Sequence, residues 1–152
     1  MKAEYVLGLL KELESKVSRL YTHFGHLFAG DKDAAEFFDL LSMDEESYGS
    51  VVQYQMRLVK KEPGAFGSVE VSEKEINSIM SVIDKTISSG KKLTLKQAVE
   101  LSVKIEGTAS ESHFRTALAL NNPALGELVR NLGVSDEEHT KRLRDFIVSR
   151  NL

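Results

Sequence analysis

The sequence predicts an all-α protein: a four-helix bundle of two helical hairpins, joined by a long crossover that carries a short extra helix. Three observations point there. Apolar residues recur at three- and four-residue spacing through most of the 152 residues, the mark of helices with one buried face. The sole strand candidate, Gly67-Ser-Val-Glu-Val71, is too short to build a sheet. The two prolines, Pro63 and Pro123, both fall between periodic segments. The length fits a single domain over 1–152 with a core of its own.

The first helix is expected over about 3–29, with Leu7, Leu10, Val17, Tyr21, Phe24 and Phe28 in one seam. Gly30-Asp31 ends it and caps the second, over about 32–61, whose seam holds Phe38, Leu41, Val52, Met56 and Val59. Phe37, Phe38 and Tyr54 are expected to pack. Pro63-Gly64 stops this helix, and roughly thirty residues of crossover follow. Within them Ser72-x-x-Glu75 is a capping box opening a short helix over about 73–89, closed by Gly90. Thr94-x-x-Gln97 opens the third long helix, over about 94–120, with Val99, Ser102, Ala109 and His113 on its inner face. Asn122-Pro123 opens the fourth, over about 123–149. Its seam of Leu125, Val129, Leu132, Leu143 and Phe146 keeps phase through Gly133, so one continuous helix is expected. Two short loops and one long crossover distinguish paired hairpins from a simple up-down bundle.

Composition narrows the chemistry. The formal net charge of −3 gives no electrostatic case for nucleic acid or an anionic membrane as partner. No run approaches the roughly 18 apolar residues of a membrane span, and the N-terminus lacks a cleavage pattern; a soluble, cytoplasmic protein is expected. With no cysteine, disulfides, zinc thiolate sites and iron–sulfur clusters are excluded. Any metal must be held by carboxylate and imidazole.

Polar residues interrupt the apolar seams. Glu14 sits between Leu10 and Val17, Glu45 between Leu41 and Val52, Glu106 between Ser102 and Ala109, and Asp136 between Leu132 and Leu143. Tyr48 and His139 follow the second and fourth of these acids by one turn, and Tyr21 and His113 follow the first and third by two. A buried carboxylate costs several kcal/mol unless paired or bound to a cation. A single seam acid is more often a rim residue reaching water, but one per long helix, with His139 beside them, points to a metal site. About thirty residues separate Glu14 from Glu45, and Glu106 from Asp136, as a twofold pair of hairpins would keep. His113 lies about 10 Å along the axis from Glu106, which suits a packed or neighbouring group better than a ligand to the same ion.

These motifs resemble the rubrerythrin branch of the ferritin-like superfamily. Glu14-Ser-Lys-Val-Ser-Arg-Leu-Tyr21 is similar to the family's first-helix motif, and Phe37-Phe38-Asp-Leu-Leu-Ser-Met-Asp-Glu45 resembles the approach to its second-helix Glu-x-x-His. Glu106 matches the third-helix Glu, and Asp136-Glu-Glu-His139 resembles the fourth-helix Glu-x-x-His. The chain departs from the pattern where Tyr48 replaces the second-helix His, Asp136 shortens the fourth-helix acid, and Ala109 stands where peroxidase-type members carry a further Glu.

The resemblance implies a ferritin-like fold and an iron-binding protein, with one or two ions, that reacts with peroxide or oxygen. Glu14, Glu45, Glu106, Asp136 and His139 would be the ligands, with Tyr21, Tyr48 and His113 beside them. It also implies an external electron-donor protein, because a rubredoxin-type site needs cysteine, and a homodimer. The alternative is a degenerate bundle with one metal or none, acting as a scaffold or interaction protein.

Overall fold

The computed structural model describes residues 2–62, 64, 71–107 and 136–152, the last segment without the side chains of 136–138. Regular structure among the described residues is helical, with no strand. The elements are α1 (Ala3–Leu27), α2 (Lys32–Lys61), α3 (Glu73–Ser88), α4 (Leu95–Gly107) and α5 (Asp136–Arg150). The expected continuation of the third helix to 120, the start of the fourth at 123 and its passage through Gly133 lie outside the described residues. No helix among them is long and apolar enough to cross a membrane.

Helix α1 buries Leu7, Leu10, Leu13, Glu14, Val17, Tyr21 and Phe24 on one face, as its three- and four-residue spacing requires. The turn ends on Asp31, whose carboxylate accepts the Ala34 N–H at 3.2 Å and caps α2. Lys60, near the end of α2, pairs with Glu4, near the start of α1, at 3.8 Å, so the two helices are antiparallel. Hydroxyls join them midway. Ser18 Oγ and Ser42 Oγ lie 3.0 Å apart, Ser42 donates to the Ser18 carbonyl at 3.0 Å, and Thr22 Oγ1 reaches Ser42 Oγ at 2.8 Å. Nearer the turn, a Cβ at Gly25 would lie 2.5 Å from Asp39 Oδ1; only glycine lets α1 approach α2 there without displacing that side chain.

Helix α3 runs parallel to α1. Tyr5 donates to Glu73 at 2.5 Å, and Lys16 donates to both oxygens of Asp84 at 2.7 and 2.8 Å, the same sequence offset in both cases. The crossover therefore carries the chain back along the length of α1. Ser72 caps α3 by accepting the Glu75 N–H at 3.3 Å. Gly90, at φ +63°, supplies the left-handed residue beyond its end. The reciprocal capping box then forms: Thr94 accepts the Gln97 N–H at 3.2 Å, and Gln97 accepts the Thr94 N–H at 3.0 Å.

Helix α5 runs antiparallel to α2 and also packs on α4. Going up α5, His139, Arg142, Phe146 and Arg150 meet Glu45, Asp44, Phe37 and Asp31 in descending order. Phe37 and Phe146 stack at 4.0 Å, and Phe38 is fully buried beneath Tyr21, Phe24 and Phe28. Full burial of residues such as Leu7, Leu10, Phe24 and Phe38 contributes about 1.5–3 kcal/mol each. Tyr54 is 40% exposed rather than packed, because it lies about 200° round the helix from Val52, off the seam. Gln55, not Met56, is the residue fully turned inward there.

Candidate metal centre

Four helices each bring a polar side chain to one level of the interior. Glu14 from α1, Glu45 from α2 and His139 from α5 are buried, and Glu106 from α4 is mostly so. Each occupies an inward position because it keeps the spacing of the apolar residues around it. His139 Nδ1 lies 3.2 Å from Glu106 Oε2 and 3.4 Å from Glu45 Oε1. One ligand atom from each of Glu45, Glu106 and His139 falls within 4.8 Å of the others. Glu14 shares a hydrogen bond with Glu45 and completes the carboxylate group.

Tyrosines hold the edges. The Tyr21 hydroxyl, fully buried, donates to Glu106 Oε1 at 2.7 Å. Its ring meets His139 edge-on at 6.3 Å, and Tyr48 does the same from α2 at 5.7 Å. His139 Nε2 is buried and has no hydrogen-bond partner among the described residues. Outside the centre, Arg142 donates to Asp44. Asp44 precedes Glu45, and Arg142 lies one turn after His139, so this pair fixes the rotation of α5 against α2.

The electrostatics follow from the crowding. Burial, then the hydrogen bond and charge of Glu14, then Glu106, push the Glu45 carboxyl well above the usual range. Burial would lower His139; the Glu106 carboxylate, with Asp44 and Glu14 behind it, outweighs that and raises it. Burial and the charges of Glu106 and Glu45 hold the Tyr21 phenol well above its ordinary value. The centre has more acid than its single imidazole can balance, so it retains protons or takes a cation.

The donor set suits a metal. Bond lengths of about 2.0–2.2 Å to oxygen and nitrogen place neighbouring ligand atoms roughly 3.0–3.5 Å apart. The 3.2 and 3.4 Å separations at His139 Nδ1 match that spacing. Carboxylates with one imidazole favour a hard or borderline cation such as iron, manganese or zinc. Tyr48, one turn after Glu45, brings a phenol and not a second imidazole against His139.

Of the residues expected from sequence, Glu14, Glu45, Glu106, His139, Tyr21 and Tyr48 come together. Asp136 heads α5, but its side chain lies outside the described residues, as does His113 entirely. The Arg142–Asp44 pair and the serine contacts were not anticipated; a surface arginine and scattered serines carry no periodic signal. No protein-family model matches the chain, and no curated protein or solved structure is significantly similar to it.

Proposed function

We propose that this is a rubrerythrin-like, ferritin-like metal protein that holds iron at Glu45, Glu106 and His139 and reacts with peroxide or oxygen. The observation that carries the reading is the convergence of those three ligand atoms, from three separate helices, within 4.8 Å of one another in a buried interior. The path of the chain supports it: an antiparallel hairpin, a crossover helix parallel to α1, and an α5 antiparallel to α2 are what the ferritin-like connection requires. Iron so held would supply one-electron chemistry toward the oxidant, with electrons from an external donor protein. The chain's own residues do the rest. Glu45 and His139 bind, Tyr21 orients Glu106 through its hydroxyl, and the Tyr21 and Tyr48 rings keep water from His139. Glu14 adds the further carboxylate that the ion's charge calls for.

Metal analysis of protein made with iron supplied tests this reading. One ion per chain is expected, lost in Glu45→Ala and in His139→Ala. A second reading, a degenerate scaffold, is favoured by Tyr48 in the second imidazole position. It is the better account if the purified chain carries no metal and Glu45→Ala together with Glu106→Ala raises the melting temperature.

A further inference from the structure

A cleft of about 510 Å³ opens between α1 and α2 and reaches Glu45 from solvent. Small residues make the opening. Ser15 and Ser18 line it on α1 and Gly49 on α2. A Cβ at Gly49 would meet nothing within 4 Å, so the gap is wider than a close helix crossing needs. The walls carry Lys11, Arg19 and Arg57 against a single exposed acid, Glu46. Cations thus line the approach to a centre whose own groups are mostly acidic. Three positive charges facing one exposed acid across a cleft favour an anion there.

We infer that the α1–α2 cleft is a binding site for a small dianion, such as an oxyanion or a dicarboxylate, held by Lys11, Arg19 and Arg57 with its inner end toward Glu45. This deepens the metal reading by naming what approaches the centre. It rests on that reading only for what the anion meets beyond Glu45. The cleft is large enough for a phosphate or a four-carbon diacid. Gly49 and Ser18 are where the width is set, and Arg19 and Arg57 supply the charge.

The test uses the metal-free chain at low ionic strength, so that its outcome is separate from that of metal loading. Inorganic phosphate and succinate are titrated separately while backbone amide resonances are followed by NMR. Saturable shifts are expected at Ser15, Ser18 and Gly49 with at least one of the two probes, and the probe that binds more tightly identifies the class. Arg19→Gln with Arg57→Gln should weaken binding at least five-fold, and Gly49→Leu should abolish it by filling the gap. Both variants should keep the metal content of the parent, measured in parallel. Shifts spread over the surface, or an affinity unchanged in both variants, would overturn the inference. A parent chain that binds the anion but no metal would sink the metal reading and leave the anion site standing.

Discussion

The Tyr21 hydroxyl and Glu106 Oε1, 85 residues apart in sequence, are joined by a 2.7 Å hydrogen bond at the edge of the candidate metal centre. The bond ties a fully buried phenol on α1 to a carboxylate on α4 whose other oxygen faces His139. Tyr21→Phe keeps the ring and removes only the donor. Glu106 retains access to water, so stability should change by no more than about 1 kcal/mol. Metal affinity should fall by roughly ten-fold, the usual effect of losing a group that orients a ligand. Chelator competition and urea unfolding of the same variant separate the two effects.

Tyr48 sets its ring edge against His139, 5.7 Å between centroids, on the helix that also carries Glu45. On the proposed metal reading, an imidazole in its place, Tyr48→His, should raise the bound metal from one ion per chain toward two. Elemental analysis decides it; a stoichiometry that stays at one would show that the missing imidazole is not what limits the second position.

The pH dependence of the metal-free chain should run opposite to that of most proteins. Glu45 is raised above its ordinary 4.5 by burial and by Glu14, so the folded state binds its proton more tightly than the unfolded one. That stabilisation is complete below pH 4.5 and is lost as pH rises toward the folded value. His139, raised above 6.5 by Glu106 against the pull of burial, contributes in the same sense at higher pH. The melting temperature of the metal-free chain should fall between pH 5 and 8, and Glu45→Gln should flatten the fall. Metal must displace these protons, so binding should release protons and tighten as pH rises. Thermal melts across pH with and without metal, and a pH-stat titration, are the measurements.

Asp31 does two things at once: it caps α2 through Ala34 and it pairs with Arg150 at the end of α5. Its carboxyl is lowered to about 2, chiefly by the Arg150 hydrogen bond and then by the Ala34 N–H. Asp31→Ala should lower the melting temperature more than Arg150→Ala, because only the first also uncaps the helix. The stabilisation is present above pH 3.8 and is lost as pH falls toward 2. Acid melts of the two variants should converge on the parent at pH 2.

Most of the centre was legible because burial repeats every three to four residues. Glu14, Glu45 and Glu106 each stood in phase with leucines, valines and serines that are themselves inward, and a charge in such a position is visible in one dimension. The first two long helices could be bounded for the same reason, helped by Asp31 and by Pro63-Gly64. What could not be read is which seam faces which. That Tyr21 would reach Glu106, or that Arg142 and Arg150 would pair with Asp44 and Asp31, depends on helix rotation and on the order of neighbours, and exposed arginines carry no phase. Tyr54 shows the opposite failure: its aromatic ring suggested packing, while its angle round α2 put it in water.

The serine contacts between α1 and α2 have a consequence for how the chain is made. A four-residue turn separates the two helices, so the hairpin closes with little loop entropy. Ser18, Ser42 and Thr22 latch it from within its own sequence. A growing polypeptide can therefore bring Glu14 and Glu45 side by side while His139 is still untranslated. The imidazole joins them only when α5 docks, so the full constellation of acids and histidine is assembled last.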